Sequence, residues 1–572
     1  MSARHKGRLR VVLCWHMHQP HYGDLVRGAY ELPWTYLHAT KDYLDMAAHL
    51  EAVPGARAVV NFAPTLLEQI EDYAAQVDGC LSAGRPIRDR LLAALAEPVF
   101  VRGHEEQQAL IRDCLRANPQ RLIEPFPPYR RLAEMARWFL ERPETLIYMD
   151  EQFLSDLVTW YHLAWLGETV CRDDLRVRRL LDKGLGFTFH DRRQLLEVIG
   201  ELLRDLIPRY RRLAESGRIE LSVTPYAHPI LPLLLDFGSA REAMPEVALP
   251  EAQGYPGGEA RARWQIDRGI ETFERYFGFR PTGCWPAEGG VSRRALELLE
   301  DAGFRWTATG EGVLRHSLGE AYERYGKSVE HSLCHPYRLA DQGISCFFRD
   351  DELSDLIGFV YSDWHADDAV GDLLHRLEQI AEACPHRQKA VVPIILDGEN
   401  AWEHYPANGY YFLRSLYERL VEHPSLELTT FSGALDERVH VAALSDLVAG
   451  SWVYGTFSTW IGDRDKNRAW DMLVEAKRRY DAAVAEGRLT GDALETATRQ
   501  LALCEGSDWF WWFGDYNPAD TVSDFERLYR RHLTNLYALL SEEPPEYLAH
   551  VFAHGSGAPA LGGVMRHGAQ PE

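Results

Sequence analysis

Short apolar runs alternate with longer amphipathic stretches along most of the chain. Each run is rich in β-branched or aromatic residues and is followed by polar residues, which is typical of a buried strand. The predicted strands are Leu9–Trp15, Ala58–Phe62, Ile219–Thr224, Phe304–Ala308, Gly343–Phe348 and Ala390–Leu396. Segments of helical periodicity join them. This alternation predicts an α/β fold built on a parallel barrel rather than a sandwich.

Two regions depart from the alternation. Residues 85–215 carry helical periodicity with many Arg, Glu and Leu, which predicts a helical insertion in the barrel. Past residue 435 we expect no further strands, so residues 435–554 are predicted to form a C-terminal all-helical domain that completes the substrate channel. Residues 555–572 are predicted to be a flexible tail. The predicted catalytic barrel therefore spans residues 1–434, with the insertion included.

Polar side chains follow several predicted strands at their carboxyl ends. His16 and His18 end the first strand, Asn61 closes the second, and Tyr226 and His228 follow the third. In parallel barrels the carboxyl ends of the strands carry the active site. We therefore expect these side chains to meet at one end of the barrel.

Two acids that lie near tryptophan are candidates for catalysis. Glu288 follows Trp285 in a segment rich in Gly and Pro, and Asp397 follows the strongest predicted strand, close to Trp402. Glycoside hydrolysis needs two carboxyl groups that flank the scissile bond, and indole rings offer flat surfaces to sugars. A lone acid in a loop is more often a solvated surface group. Here the aromatic neighbours favour a catalytic pair.

The second acidic cluster contains more than one candidate. Asp397, Glu399 and Glu403 lie close together in the chain, with His404 beside them. Asp397 comes first after the strand, so it is predicted to point inward as the catalytic group. Glu399 is the next candidate for the same role.

The net charge and the cysteine content indicate which binding partners and which cellular compartment are expected. The chain has 572 residues and a net charge of −23, which opposes binding to nucleic acid or anionic membranes. Its nine cysteines lack CxxC spacing, so they are predicted to be reduced thiols rather than disulfides or zinc ligands. Leu9–Cys14 is too short for a signal-peptide core, and no apolar stretch is long enough to span a bilayer. We therefore predict a cytoplasmic protein.

The roles of two further segments remain open at this point. His16 and His18 have the spacing of an HxH pair. Such a pair binds zinc when a carboxylate completes the site. The alternatives are that the two side chains hydrogen-bond to sugar hydroxyls or that their role is structural. No third ligand stands out, so the prediction includes no metal ion and no cofactor. Ser507–Trp512 is aromatic enough to line a sugar channel, and equally suited to anchor the core of the helical domain.

Five segments taken together resemble the sequence motifs of glycoside hydrolase family 57. They are Trp15–Pro20, Glu220–Leu234, Gly283–Gly290, Leu396–Pro406 and Trp452–Leu473. Their order and approximate spacing agree with the family over nearly the whole chain. The variants at Thr224–Leu233 and Asp397–Pro406 resemble the amylopullulanase and α-amylase subgroup more than the branching-enzyme subgroup.

This resemblance implies a retaining α-glucan enzyme on an incomplete (β/α)7 barrel followed by a helical domain. The nucleophile of the family falls on Glu288 and its general acid/base on Asp397. His16 and His18 would touch the sugar at the cleavage point. The further predicted substrate-binding residues are Trp285, His228, Trp402, His404, Trp460 and Asp463.

The expected function is hydrolysis of α-1,4 linkages in glycogen, starch or maltodextrin, and the sequence leaves activity on α-1,6 linkages open. One alternative is a 4-α-glucanotransferase or branching-type transglycosylase of the same family. More distant alternatives are a metal-dependent polysaccharide deacetylase, with His16 or His18 as ligands, and a glucan-binding protein without catalysis. The sequence leaves the oligomeric state open.

Overall fold

The structure is a computed structural model that describes residues 7–100, 103–319, 333–384 and 386–557. Strands in this part of the chain form one sheet of ten. They are β1 (Leu9–Met17), β2 (Ala58–Phe62), β3 (Ile219–Val223), β4 (Gly283–Cys284), β5 (Trp306–Gly310), β6 (Tyr337–Leu339), β7 (Ser345–Arg349), β8 (Val391–Asp397), β9 (Leu426–Leu428) and β10 (Ala442–Leu444).

The core of the sheet is a run of parallel strands in the order β7-β5-β4-β3-β2-β1-β8. The two strands at the ends of this run, β7 and β8, are joined by single hydrogen bonds rather than by a continuous strand pairing. The backbone N–H of Asp350, just after β7, donates to the carbonyl oxygen of Pro393 in β8 at 2.9 Å. The Arg349 Nε donates to the carbonyl oxygen of Ile395 at 2.8 Å. These seven strands confirm the predicted α/β fold with an incomplete (β/α)7 barrel.

Three short strands lie outside this run. β9 pairs in parallel with the start of β1, β6 pairs antiparallel with β7, and β10 pairs in parallel with β6. β10 lies beyond residue 435, where the sequence predicted no further strand. Its three residues are too few to show an alternating pattern, because it exists only as a partner of β6.

Helices connect the strands and cover the outside of the barrel. Helices in the described part of residues 85–215 are Arg90–Ala96, His104–Asp113, Pro127–Glu141, Glu151–Ala164, Glu168–Asp173, Leu175–Lys183 and Phe189–Glu215. Helices elsewhere up to residue 436 are Trp34–Thr40, Asp42–Ala52, Pro64–Ala83, Leu231–Leu235, Ala240–Ala243, Gly258–Phe277, Arg293–Asp301, Glu311–Leu318, Asp351–Asp355, Ala366–Ala383, Tyr410–Val421 and Phe431–Asp436. Beyond them lie Arg464–Ala485, Gly491–Cys504, Ser507–Trp512 and Ala519–Leu539.

The strands are apolar on both faces because helices cover the outside and side chains fill the inside. β1, for example, is buried at every position except Arg10. None of the nine cysteines forms a disulfide. Among the described residues, no helix has both the length and the apolar character that crossing a membrane requires.

The short helix Ser507–Trp512 is held against the helix Arg464–Ala485. The buried Lys466 Nζ donates to the carbonyl oxygens of Phe510 at 2.6 Å and Trp511 at 3.4 Å, where the short helix ends. Burial lowers the pKa of Lys466 to about 7. Phe510 stacks on Trp470 with ring centroids 4.2 Å apart. These contacts direct the start of the short helix toward the barrel.

Candidate active site

β1 lies between β2 and β8 and brings three polar side chains level with one another. His16 is paired in register with Asn61 on one side and with Asp397 on the other. His16 and Asn61 are fully or almost fully buried. The polar groups that the sequence placed at separate strand ends therefore meet at the carboxyl end of the barrel.

Glu288 lies in a single turn, Ala287–Gly289, that follows β4. Its φ of +56° lies in the left-handed region, which is uncommon for a residue with a side chain and tends to occur at functional sites. Trp452 holds this turn at two points. Its backbone N–H donates to the Glu288 carbonyl oxygen at 3.1 Å, and its indole Nε1 donates to Glu288 Oε2 at 2.9 Å.

Asp397 is the last residue of β8, and its neighbours orient its carboxyl group. Asn400 Nδ2 donates to Asp397 Oδ2 at 2.7 Å. The chain then turns at Gly398, where a Cβ would come within 2.1 Å of Met17 Sδ. Any other residue here would have to push the end of the Met17 side chain aside, and glycine avoids this contact where β8 delivers Asp397 beside His16.

Burial and charge both act on the two carboxyl groups. Burial raises the pKa of Glu288 well above its ordinary value, and the neighbouring charge of Asp397 raises it further. Burial also raises the pKa of Asp397 to about 6. Because the two groups repel each other when both are ionised, the pair tends to retain one proton. One ionised and one protonated carboxyl group are what a retaining glycosidase needs at the start of its reaction.

Three histidines form a stack beside the carboxyl pair. His16 Nδ1 lies 2.7 Å from Asn61 Oδ1, and His16 Nε2 lies 3.1 Å from His228 Nε2. The rings of His18 and His228 are 3.7 Å apart between centroids. Burial lowers the pKa of His16 to about 3 and also lowers the pKa of His228. His16 and His228 are therefore neutral at physiological pH, and they hydrogen-bond without adding charge.

The short helix Ser507–Trp512 supplies partners for two of these histidines. Ser507 Oγ lies 2.8 Å from His228 Nδ1, and Asp508 Oδ1 lies 2.8 Å from His18 Nε2. The sequence analysis left the role of this segment open and did not single out these two side chains. The available signal was a polar Ser-Asp pair at the start of an aromatic run, but only packing shows what it contacts.

The stack also contains the third potential metal ligand that the sequence did not reveal. One nitrogen from each of His16, His18 and His228 lies within 4.8 Å of the others. The three rings are parallel to within 15°, however, so their in-plane lone pairs do not converge on one point. A tetrahedral metal site would require at least one ring to turn. As it stands, the arrangement is a hydrogen-bonded stack.

Two cavities share Asp397 and Asn400 in their walls. The inner pocket, of about 30 Å³, is lined by Glu288, Asp397 and residues of the β1 end and the C-terminal helices. The outer groove, of about 680 Å³, runs away from Asp397. Residues that line the groove include Asn118, Arg121, Arg349, Phe359, Asn400, His404, Trp452, Tyr454 and Trp511.

Some predicted substrate-binding residues lie at these cavities. His16 and His18 line the inner pocket, and His404 lines the outer groove. His228 lines neither cavity and contacts His16 through the two Nε2 atoms. Trp285 is fully buried and packs edge-on against Trp452, with ring centroids 5.2 Å apart. It therefore supports the tryptophan that binds Glu288.

The structure places three other predicted substrate-binding residues away from both cavity walls. Trp402 is buried against Trp15, and its Nε1 donates to the carbonyl oxygen of Gly398. Trp460 is fully buried beside Trp511. Asp463 accepts hydrogen bonds from the backbone N–H groups at the start of the helix Arg464–Ala485. In this structure Trp402 and Trp460 therefore pack in the core, and Asp463 caps a helix.

Arg349 is a further residue that the sequence analysis did not assign to the site. It is buried at the end of β7 and binds Asp351 and Asp355 through its guanidinium group. The same group lies 5.3 Å from the centroid of a Trp452 ring. Arg349 therefore helps to hold the indole that donates to Glu288.

Replacing Trp452 with phenylalanine is expected to remove the indole donor to Glu288. A hydrogen bond to a charged group contributes about 1.5–3 kcal/mol, so we expect kcat/KM to fall roughly 10- to 100-fold. The donor lowers the pKa of Glu288. Its loss raises that pKa and moves the acidic limb of the pH–rate profile to higher pH. Trp138→Phe, at a tryptophan 45% exposed, is the control. An unchanged acidic limb would contradict this role.

Comparison with known proteins gives related results by sequence and by structure. The chain is 23% identical over 411 residues to the 1,4-α-glucan branching enzyme of Thermococcus kodakarensis, a match that covers 59% of this chain and 56% of that enzyme. The crystal structure of that branching enzyme has a TM-score of 0.56 at 15% identity and covers 93% of this chain and 90% of its own.

A second crystal structure gives a similar result. The α-amylase AmyC of Thermotoga maritima has a TM-score of 0.55 at 15% identity, with 95% of each chain covered. These structural likenesses establish the shared fold. The family model for glycosyl hydrolase family 57 matches residues 12–445, which is well over half of the chain. The chain therefore belongs to glycosyl hydrolase family 57.

Proposed function

We propose that this protein is a retaining α-glucan hydrolase, with Glu288 as nucleophile and Asp397 as general acid/base. The observation that carries the proposal is that both carboxyl groups line one buried pocket at the carboxyl end of the barrel. Related family members named as a branching enzyme and an α-amylase support an α-glucan substrate. We propose α-1,4 linkages as the main target.

In the proposed reaction, the Glu288 carboxylate attacks the anomeric carbon while Asp397 donates its proton to the bridging oxygen. The bond between the anomeric carbon and that oxygen breaks, and a glycosyl-enzyme ester forms. Asp397, now ionised, removes a proton from water, which attacks the ester and releases the sugar with its original configuration. Trp452 and Asn400 orient the two carboxyl groups through the hydrogen bonds that they donate.

The histidine stack is proposed to bind the sugar at the cleavage point. His16 and His18 line the inner pocket. Asn61 Oδ1 hydrogen-bonds to Nδ1 of His16, and Asp508 Oδ1 hydrogen-bonds to Nε2 of His18. Fixed, buried donors and acceptors of this kind orient a sugar without reorganising during the reaction.

A second candidate is a transglycosylase, in which a glucan acceptor replaces water. The outer groove of about 680 Å³ favours it, because a groove beside the general acid/base holds an acceptor chain in place. Hydrolysis and transfer share the same first step. The partition between them depends on whether water or sugar occupies the groove.

Product analysis on maltoheptaose, pullulan and glycogen in the presence of EDTA tests the proposal. New reducing ends that rise in step with cleavage support hydrolysis, whereas longer and shorter chains with few new ends indicate a transferase. Pullulan cleaved to maltotriose would add activity on α-1,6 linkages. If activity appears only when EDTA is replaced by a divalent metal, a metal enzyme of the deacetylase type replaces this proposal. Glycogen binding without turnover would instead indicate a glucan-binding protein without catalytic activity.

A further inference from the structure

The short helix Ser507–Trp512 contributes to both cavities and to the histidine stack. Its first two side chains hydrogen-bond to His228 and His18. Its last two side chains line the cavities, Trp511 at the outer groove and Trp512 at the inner pocket. A shift of this one helix would therefore change the histidine stack and the walls of both cavities at the same time.

The position of this helix depends on contacts from outside it, because six residues are too few to form a stable helix alone. The last carbonyl oxygens of a helix also lack partners within the helix. Here Lys466 Nζ donates to the carbonyl oxygens of Phe510 at 2.6 Å and Trp511 at 3.4 Å. Asn517 Nδ2 donates to those of Trp511 and Trp512, both at 3.1 Å. Two side chains from outside the helix therefore hold its end.

Lys466 is the more remote of these two donors in the chain and is fully buried on the helix Arg464–Ala485. Its amine keeps at least two N–H groups in either protonation state, which is the number that two carbonyl oxygens use. Burial of an amine costs free energy that an apolar side chain of similar length would not cost. Phe510 already packs on Trp470 of the same long helix, with ring centroids 4.2 Å apart. Lys466 therefore adds hydrogen bonds of defined direction to a contact that is otherwise apolar.

We infer that Lys466 is a positioning residue for this reaction, which holds the short helix so that Asp508, Trp511 and Trp512 stay in place around the sugar. The inference rests on the proposed function. Lys466 lines neither cavity, so it acts through the helix and not on the sugar itself. Catalysis is sensitive to such support, since a misplacement of about 1 Å lowers a rate by up to roughly a hundredfold.

Lys466→Met tests this role, because methionine has a similar length and cannot donate a hydrogen bond. The consumption of maltoheptaose, with hydrolysis and transfer counted together, is expected to show a fall in kcat/KM of roughly 10- to 100-fold. The variant should still unfold above the assay temperature, since an apolar side chain replaces a buried polar one. Lys477→Met is the matched control, because Lys477 is also buried on the long helix but binds Asp481 at 2.6 Å instead of the short helix.

A double-mutant cycle with Asp508→Asn separates positioning from a general effect on the fold. If Lys466 acts through the short helix, Lys466→Met should cost at most about threefold once Asp508 has been replaced, because residues that act as one unit have non-additive effects. A general loss of folded enzyme would lower kcat/KM by the same factor in both backgrounds. If Lys466→Met does not fold, Lys466→Arg, which keeps a donor but displaces it, takes its place in the same cycle.

The relative rates of these variants decide the inference. Equal losses in the two backgrounds, or a Lys466→Met enzyme within about threefold of the wild type, would overturn it and leave the proposed function standing. A loss in Lys477→Met as large as that in Lys466→Met would also overturn it, because the effect would then belong to the long helix as a whole. If the wild type does not consume maltoheptaose, the proposed function fails and the inference falls with it.

Discussion

Glu288→Gln is expected to lower kcat on maltoheptaose by at least about a thousandfold, because an amide of the same shape cannot form the glycosyl-enzyme ester. The fold should survive, since the substitution keeps the side-chain volume and removes a buried charge. Initial-rate measurements on the wild type and the variant, with thermal unfolding of both, test this expectation. Glu271→Gln, at an exposed glutamate on the helix Gly258–Phe277, is the control.

Azide distinguishes a lost nucleophile from a damaged site. In Glu288→Gly, azide is expected to enter the vacated space and attack the anomeric carbon as the leaving group departs. The product is then a β-glycosyl azide, with configuration opposite to that of the substrate. A Gln variant within tenfold of the wild-type rate would show that Glu288 is not the nucleophile. Glu399, the other buried glutamate that lines the inner pocket, would then be the residue to test.

Asp397→Asn is expected to lower kcat/KM on maltoheptaose by roughly a hundredfold to ten-thousandfold, the usual range for loss of a general acid. The loss should be much smaller on a 2,4-dinitrophenyl α-glucoside, because that leaving group departs without a proton. A comparison of the two substrates therefore separates proton donation from general disruption. Asp367→Asn, whose side chain is 73% exposed, is the control. Equal losses on both substrates would contradict the assignment.

The assignment of Asp397 as general acid also predicts the direction in which kcat/KM changes with pH. As the proposed general acid, Asp397 acts only while protonated, and burial raises its pKa to about 6. kcat/KM on maltoheptaose is therefore expected to fall as the pH rises through about 6. The acidic limb reports the first ionisation of the coupled pair and the alkaline limb the second, so both apparent values belong to the pair. In Asp397→Asn the alkaline limb should vanish. Its persistence in the variant would assign that limb to another group.

Much of the barrel was predictable from local pattern. β2 occupies the predicted residues Ala58–Phe62, and β8 begins within one residue of the predicted start. Continuous apolar runs bounded by polar residues identify strands that are covered on both faces. β10 escaped prediction because three residues carry no pattern of their own and depend on β6 for pairing.

The meeting of polar side chains at one end of the barrel was predictable, because each lies at or just after the end of a strand. His16, His18, Glu288 and Asp397 converge on one pocket because parallel strands deliver their last residues to the same end of a barrel. Composition was a weaker guide for tryptophan. Trp402 and Trp460 resemble sugar-binding residues in sequence, yet both are buried in the core, as most large aromatic side chains are.

By itself the sequence determined the family and most of the longer strands, and it pointed to Glu288 and Asp397 as the proposed carboxyl pair, since each motif is a short local segment. Only the tertiary structure decided that Asp508 binds His18, that Trp452 binds Glu288 and that Phe525 packs against Tyr22. The partners in these contacts are separated by 164 residues or more. Contacts at such separations depend on how helices pack against the barrel, which no local pattern of apolar and polar residues encodes.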